Sequence, residues 1–378
     1  MKKQKKVLFV ATVASHIRRF HTPYLKLFKE KEYKTYVASG WNLSDDEKID
    51  YCDNYTEISV QRSPYSFKNL KAIRELKDLI DAEKFDMIHC HTPMGAVVAR
   101  LAAKKARKKY GTRVIYTAHG FHFYNGAPKK NWVLFYPVEW YLAKYTDTLI
   151  TINQEDYKRA REKFEKRCKD IRYVPGVGID VEKFNVKITK AQKKELRSSL
   201  GLKEDDFVLI FPARLDRNKN QRFLIDVMGE LVSKDSDIHL VLPGPDELNG
   251  YYQKLTEEKG LQKNIHFLDI RNDIPELMAI SNVAVSSSLR EGLPVNIMEA
   301  FAAGKPVVAL SCRGVDDLVE NGKKGYVISS VSEMVDRILL LKNNRKISRE
   351  IMANNKEKAK KYSIDSTVDK MNDVYFGA

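Results

Sequence analysis

Two carboxylates, Glu291 and Glu299, stand with seven residues between them in the stretch SSLREGLPVNIMEAFAAGKPVVAL, residues 287–310. An ionised carboxylate only accepts hydrogen bonds, so two of them can read hydroxyl groups at opposite ends of one ligand. Between them lies the turn Gly292-Leu293-Pro294, followed by a helical pattern over 295–303, with Pro294 suited to its first position. Gly304 falls where a left-handed residue closes a helix, and Pro306 stops any continuation. The backbone N–H groups from Gly292 to Asn296, Val295 among them, therefore lack helical acceptors and make an anion socket. Glu291 stands at its rim and Glu299 about two turns along the helix. The plainer alternative is ordinary helix-end electrostatics and a solvated face. Upstream, Arg214 and Lys219 in FPARLDRNKNQ follow an apolar run. Two cations and a helix N-terminus suit a diphosphate, whereas alone they would read as solvated loop charges.

Positioning such groups needs strands that end in loops at one edge. KKVLFVATV, KTYVASG, FDMIHCH, TRVIYTAHG and TDTLITIN read as buried strands, with amphipathic helical patterns such as FHTPYLKLFKEK and SFKNLKAIRELKDLIDAEK between them. IRYVPGVGIDVEKF (171–184) reads as a punctuated connector, and AQKKELRSSLGL after it as helical. DFVLIFPARL, DIHLVLPG, NIHFLDI, NVAVSSS and KPVVAL then form a second strand series, and the tail from Val331 is helical and charged. The expectation is an α/β protein of two Rossmann-like, doubly wound domains facing across a cleft. Domain one spans 1–184 and domain two 185–355, with a C-terminal helix over 356–378 packing back toward the first.

The chain has 378 residues, 43% of them apolar and 31% charged, a folded and soluble composition. Its start imitates a signal peptide, but the apolar run is short and Arg18 and Arg19 follow at once, so it reads as a first strand. No stretch approaches the ~20 apolar residues of a spanning helix. Cys52, Cys90, Cys168 and Cys312 are scattered, which argues against a disulfide framework and for a reducing cytoplasm. The net charge of +16 is uneven: residues 1–200 carry +18 and residues 201–378 carry −2. An anionic partner of the first half follows, whether nucleic acid, anionic lipid or a phosphorylated substrate, unless the lysines merely solubilise.

The second half resembles the nucleotide-sugar domain of glycosyltransferase family 4, on Arg214-Leu215 to Lys219 and on Glu291-Gly292-Leu293-Pro294 to Glu299. The resemblance extends over nearly the whole chain, and residues 116–153 are similar to the capsule and exopolysaccharide branch. It implies a GT-B fold and a retaining transfer from a UDP-sugar, with no metal or other cofactor. Arg214 and Lys219 would hold the donor diphosphate, assisted by amides in the Gly292, Leu293, Pro294 and Val295 turn. Glu291 would meet donor-sugar hydroxyls, Glu299 the ribose diol, and Arg271 the base. His119 would line the reaction centre and His16 would meet the acceptor, a polyprenyl-diphosphate-linked saccharide. The chain departs from the family at Ala213, Asn220 and Asp269, where glycine is common, and at Thr12-Val13-Ala14-Ser15-His16, which replaces a glycine-rich loop.

Asp235-Ser236-Asp237 reads as a solvated turn because it precedes a strand. His89-x-His91 and His119-x-x-His122 lack Cys or carboxylate partners at ligand spacing, so no metal site is expected. Gly176-x-Gly178 lacks the third glycine of a dinucleotide fingerprint, which disfavours an oxidoreductase. No nucleic-acid-binding signature accompanies the basic half. Aromatic residues and lysines over 121–145, including Trp132, Trp140, Lys129 and Lys130, suit an anionic bilayer surface, though part of the segment must be core. KKARKK (104–109) is either a solvated helix end or part of that surface. Peripheral association with the inner face of the plasma membrane follows; a soluble small-molecule acceptor is the competing reading.

Overall fold

The computed structural model describes residues 4–377 except positions 42, 45 and 46, so Lys2 and Lys3 of the basic start lie outside the described residues. The chain divides into two compact units, Met1–Gly178 with Asp365–Ala378, and Ile179–Ile364. The sequence reading drew these lines at 184/185 and 355/356. The observed division differs because Ile179 donates to the Tyr362 carbonyl and accepts from the Ile364 amide, both at 2.9 Å, which keeps 179–184 with the second unit.

The first unit is a parallel sheet of β1 (Lys6–Val13), β2 (Lys34–Gly40), β3 (Asn54–Glu57), β4 (Met87–Cys90), β5 (Arg113–Ala118), β6 (Thr148–Thr151) and β7 (Asp170–Tyr173). Their order is β3-β2-β1-β4-β5-β6-β7. β1 and β4 are buried along their length because helices cover both faces of such a sheet, which is why they read as unbroken apolar runs. The head of the expected connector is β7, an edge strand whose DIRY sequence is too short and polar to announce itself. The edge strand β3, with the sequence NYTE, went unread for the same reason.

The helix Ile364–Phe376 belongs to this unit, where Met371, Val374 and Tyr375 pack with Val7, Phe9 and Phe28. Arg113 donates to the carbonyls of Val374 and Tyr375, and the Tyr375 hydroxyl lies 2.7 Å from His89 Nδ1. These bonds satisfy the helix's last carbonyls, which have no intrahelical donor.

The second unit is a parallel sheet of β8 (Phe207–Ile210), β9 (Ile238–Leu242), β10 (Ile265–Phe267), β11 (Val283–Ser286), β12 (Val307–Leu310) and β13 (Gly325–Ile328), in the order β10-β9-β8-β11-β12-β13. The four residues of β13 were not anticipated. In each sheet the order reverses once, between β1 and β4 and between β8 and β11, and ligands of doubly wound sheets bind beyond the carboxyl ends of strands at such points. No helix among the described residues is long and apolar enough to cross a membrane.

Candidate active site

Every residue expected to hold a nucleotide sugar lies in a loop or helix that follows the carboxyl end of a strand in the second unit. The loops after β8 and β11 are stapled together. Leu289 N–H donates to the Asn218 carbonyl at 2.8 Å, the Asn218 amide to the Arg290 carbonyl at 3.0 Å, and Ser287 Oγ to the Lys219 carbonyl at 2.7 Å. Across this staple Lys219 Nζ meets Glu291 Oε1 at 2.5 Å, with both side chains less than one-fifth exposed. The sequence reading gave these two residues separate tasks; the structure makes them one ion pair.

Arg214 is on the outer rim, half exposed, and pairs with Glu247 at 2.7 Å and Asp216 at 3.3 Å. Arg271, beyond β10, makes a two-pronged pair with Asp273 at 2.8 and 2.6 Å. The helix is Val295–Ala302, so Pro294 is its N-cap and not its first residue. Glu299 is therefore the fifth helical residue, a little over one turn in and not two, and it is half-buried. Gly292 is half-buried while Leu293 and Pro294 are buried, and the first amides of this helix have no acceptor inside it.

Two departures from the family pattern have a backbone explanation. Asn220 has φ +54° and Asp269 φ +49°, so both occupy left-handed conformations. Glycine adopts these freely, and Asn and Asp adopt them more readily than other residues because a short polar side chain can bond locally. Ala213 has no such φ; its carbonyl instead lies where a Cβ on Gly244 would collide with it.

Gly314, beyond β12, has φ +83°, and a Cβ there would strike the Gly292 carbonyl. Arg313, beside it, donates to the Glu291 carbonyl at 3.1 Å. Together they hold the 291–294 turn in place. Gly314→Ala should therefore weaken UDP binding at least tenfold, whereas Gly322→Ala should not. Gly322 has a similar φ of +75° with nothing within 4 Å of a Cβ, so it carries the same conformational penalty without the collision. Thermal-shift titration with UDP checks this; equal UDP affinity of both variants would remove Gly314 from the site.

The first unit holds the two expected histidines. His16 and His119 approach to 3.3 Å between their Nε2 atoms. Residues 14–16 are not a loop: β1 runs to Val13 and the helix Ala14–Phe20 starts at once. The close approach that glycine permits is made instead by Gly95, whose amide donates to Thr12 Oγ1 at 3.2 Å and where a Cβ would crowd the Thr12 backbone.

The sequence reading missed His21 and the true partner of His91. His21, His91, His16 and His119 offer ring nitrogens all within 4.8 Å of one another. The pairs weighed by spacing do not make this group: His89 is engaged by Thr117 and Tyr375, and His122 stacks on Phe135. A signal was present, since His91 and His119 each directly follow a strand, and adjacent parallel strands bring their carboxyl ends together.

Comparison with known proteins follows the same division. The family profile for group 1 glycosyl transferases matches residues 192–359, and that for 4-like glycosyl transferases matches residues 6–153. EpsD of Bacillus subtilis (strain 168), assigned as a glycosyltransferase, is 40% identical over 373 residues, 98% of this chain and 96% of its own. An Escherichia coli UDP-Gal:alpha-D-GlcNAc-diphosphoundecaprenol alpha-1,3-galactosyltransferase is 29% identical over 82% of this chain and 79% of its own. Among solved structures, Anabaena Alr3699/HepE in complex with UDP superposes with a TM-score of 0.80 at 20% identity, covering 99% of this chain and 100% of that one.

Proposed function

Because the chain belongs to glycosyltransferase family 4, we propose that it is a retaining transferase that takes a hexose or N-acetylhexosamine from a UDP-sugar. Its acceptor is a polyprenyl-diphosphate-linked saccharide in capsule or exopolysaccharide synthesis, reached at the cytoplasmic face of the plasma membrane. In the reaction the bond from sugar C1 to the diphosphate oxygen breaks, an acceptor hydroxyl oxygen bonds to C1, its proton passes to the departing diphosphate, and UDP leaves.

The observation that carries this reading is the Lys219–Glu291 pair at the reversal of strand order in the second sheet, next to the start of the helix Val295–Ala302. A cation, a carboxylate and unpaired amides within one stapled loop pair supply what a sugar diphosphate needs. The carboxylate of Glu291 accepts from sugar hydroxyls, while Lys219, Arg214 and amides of the Gly292–Val295 turn take the leaving charge. Glu299 accepts from the ribose diol and Arg271 lies against the base. His119 lines the reaction centre and His16 meets the acceptor. The lipid-linked acceptor draws support from the Escherichia coli relative named above, whose own acceptor is a diphosphoundecaprenol saccharide.

With cations and amides on the diphosphate, no metal ion is required there. UDP at about 100 times its Kd should add about 2.7 kcal/mol to the stability of the fold that binds it, a rise in Tm of several degrees, in the presence of chelator. Differential scanning fluorimetry with EDTA, then with magnesium or manganese, is the measurement. Stabilisation that vanishes in chelator and returns with either ion would overturn the metal-independent account.

A further inference from the structure

Four imidazoles converge in the first unit. His16 lies in the helix that follows β1, His21 in the N-cap position of the helix Thr22–Glu30, His91 after β4 and His119 after β5. His16 Nε2 lies 3.2 Å from His21 Nε2 and 3.3 Å from His119 Nε2, and His119 Nε2 lies 3.4 Å from His91 Nδ1. His21 and His91 are buried and His16 and His119 half-buried, surroundings that favour uncharged imidazoles. A neutral ring nitrogen carries one proton or one lone pair, and so makes one good hydrogen bond. Four such atoms can satisfy two contacts between them, yet three are present. At least one pair of nitrogens is therefore crowded without a bond.

The separations have a simple interpretation. Zinc binds histidine nitrogen at about 2.0–2.1 Å in tetrahedral sites, and the edge of such a tetrahedron is about 3.3 Å; three of the pairs stand at that spacing and all lie within 4.8 Å, so an ion would draw the remaining nitrogens inward. We propose that His16 Nε2, His21 Nε2, His91 Nδ1 and His119 Nε2 together bind one divalent ion of the zinc class. A single ion takes all four lone pairs at once, which no arrangement of four protons does. With four imidazoles and no oxygen ligand the group selects zinc and its neighbours over magnesium, manganese or calcium.

Two further features shape the site. Thr92, next to His91, is a β-branched residue held at φ +61°, a strained conformation that the surrounding structure must impose. Its hydroxyl accepts from the Thr12 amide at 2.9 Å, which ties the His91 loop to β1. His21 Nδ1 and His91 Nε2, in contrast, are buried without a hydrogen-bond partner. Metal-bound histidines usually donate the second N–H to an acceptor, and losing such a partner costs 10–100-fold in affinity. The site is thus a reversible one, not a permanent structural centre. It also engages the reactive nitrogens of His16 and His119. Zinc is therefore an inhibitor of transfer, a consequence that rests on the roles proposed above for those two residues. UDP binding, which uses residues of the second unit, is unaffected by it.

The test uses tag-free full-length protein. Cobalt(II), a spectroscopic stand-in for zinc, should develop the visible absorption of a tetrahedral site, saturate at one equivalent and be displaced by zinc. His21→Gln and His91→Gln should each weaken binding at least tenfold, with melting temperatures recorded to confirm folding. Should either variant fail to fold, X-ray absorption at the zinc edge on the wild-type protein decides: four nitrogen neighbours are expected. No binding, or a shell dominated by oxygen or containing sulfur, would overturn the site and leave the proposed transfer untouched. A four-nitrogen site that does not inhibit turnover would uphold the metal site and overturn the role given to His119.

Discussion

Glu291→Ala is expected to lower kcat by about 10²–10³-fold, the range seen when one preorganised electrostatic contact to a transition state is removed. Its donor KM should change far less, provided the sugar contact strengthens as C1 becomes positive. The geometry adds a second term. Glu291 Oε1 lies 2.5 Å from Lys219 Nζ, and neither side chain is freely solvated. Removing the carboxylate leaves a half-buried ammonium, and removing the ammonium leaves a half-buried carboxylate; each costs more than the loss of one exposed charge. Lys219→Met should therefore be comparably inactive, and the double variant Lys219→Met/Glu291→Ala should be no worse than the poorer single one, since residues acting as a unit are not additive. Glu299→Ala, one turn into the helix, should instead raise the donor KM, because a ribose contact persists through the reaction. Steady-state kinetics with a matched UDP-sugar measures all four. Full activity in Glu291→Ala and Glu299→Ala would remove the paired acids from the mechanism.

The placement of Arg214, Lys219 and the 291–299 segment at strand ends and a helix start was legible because that geometry is local. Pro294, Gly304 and Pro306 fix the ends of one short helix in the sequence itself, and Arg214 and Lys219 follow a strand that any apolar run would betray. What the sequence could not carry was the contact between segments. Lys219 and Glu291 are 72 residues apart, and only the adjacency of β8 and β11 joins them. The four histidines are a stronger case, since they meet through the order β1-β4-β5, while spacing along the chain suggested His89 and His122. The edge strands β3 and β7 failed for a different reason: short, half-exposed segments have no need of the Val- and Ile-rich runs that mark a buried strand. The aromatic segment shows the same limit. Trp132 is half-buried, packing on Phe123 against the core and under the Arg159 guanidinium, whereas its helix neighbours Val133 and Leu134 face outward; sequence alone could not sort them.

That sorting sharpens what should happen at a membrane. On the helix Lys129–Ala143 the exposed apolar residues are Val133, Leu134, Val138, Trp140 and Tyr141, with Val133 73% exposed. The helix Lys104–Lys109 meets the C-terminal end of that helix, where Arg107 donates to the Lys144 carbonyl at 2.8 Å. Lys104, Lys105, Lys108, Lys109 and Lys144, with Asp147 as the one acid, line a groove of about 880 Å³ there. A basic groove beside an apolar face suits an anionic bilayer, with charge drawing the protein in and side chains entering the interface. Each lysine near such a surface contributes about 1 kcal/mol. Reversing Lys104, Lys105, Lys108 and Lys109 to Glu should therefore weaken binding by at least 4 kcal/mol, roughly 10³-fold. That part of the attraction is screened over a Debye length of about 10 Å at 0.1 M salt, so wild-type binding should fall steeply as salt rises. Burying the exposed parts of Val133 and Leu134, 73% and 47% respectively, contributes on the order of 1–2 kcal/mol each, which salt does not screen, so Val133→Asp/Leu134→Asp should remove the salt-resistant remainder. Trp132→Ala would be a poor probe, because it opens the core. Co-sedimentation with phosphatidylglycerol-rich and with pure phosphatidylcholine vesicles, across a salt series, separates the two contributions. Negligible wild-type binding to both would sink the docking face and favour a soluble acceptor, leaving the basic first half as a solubility feature.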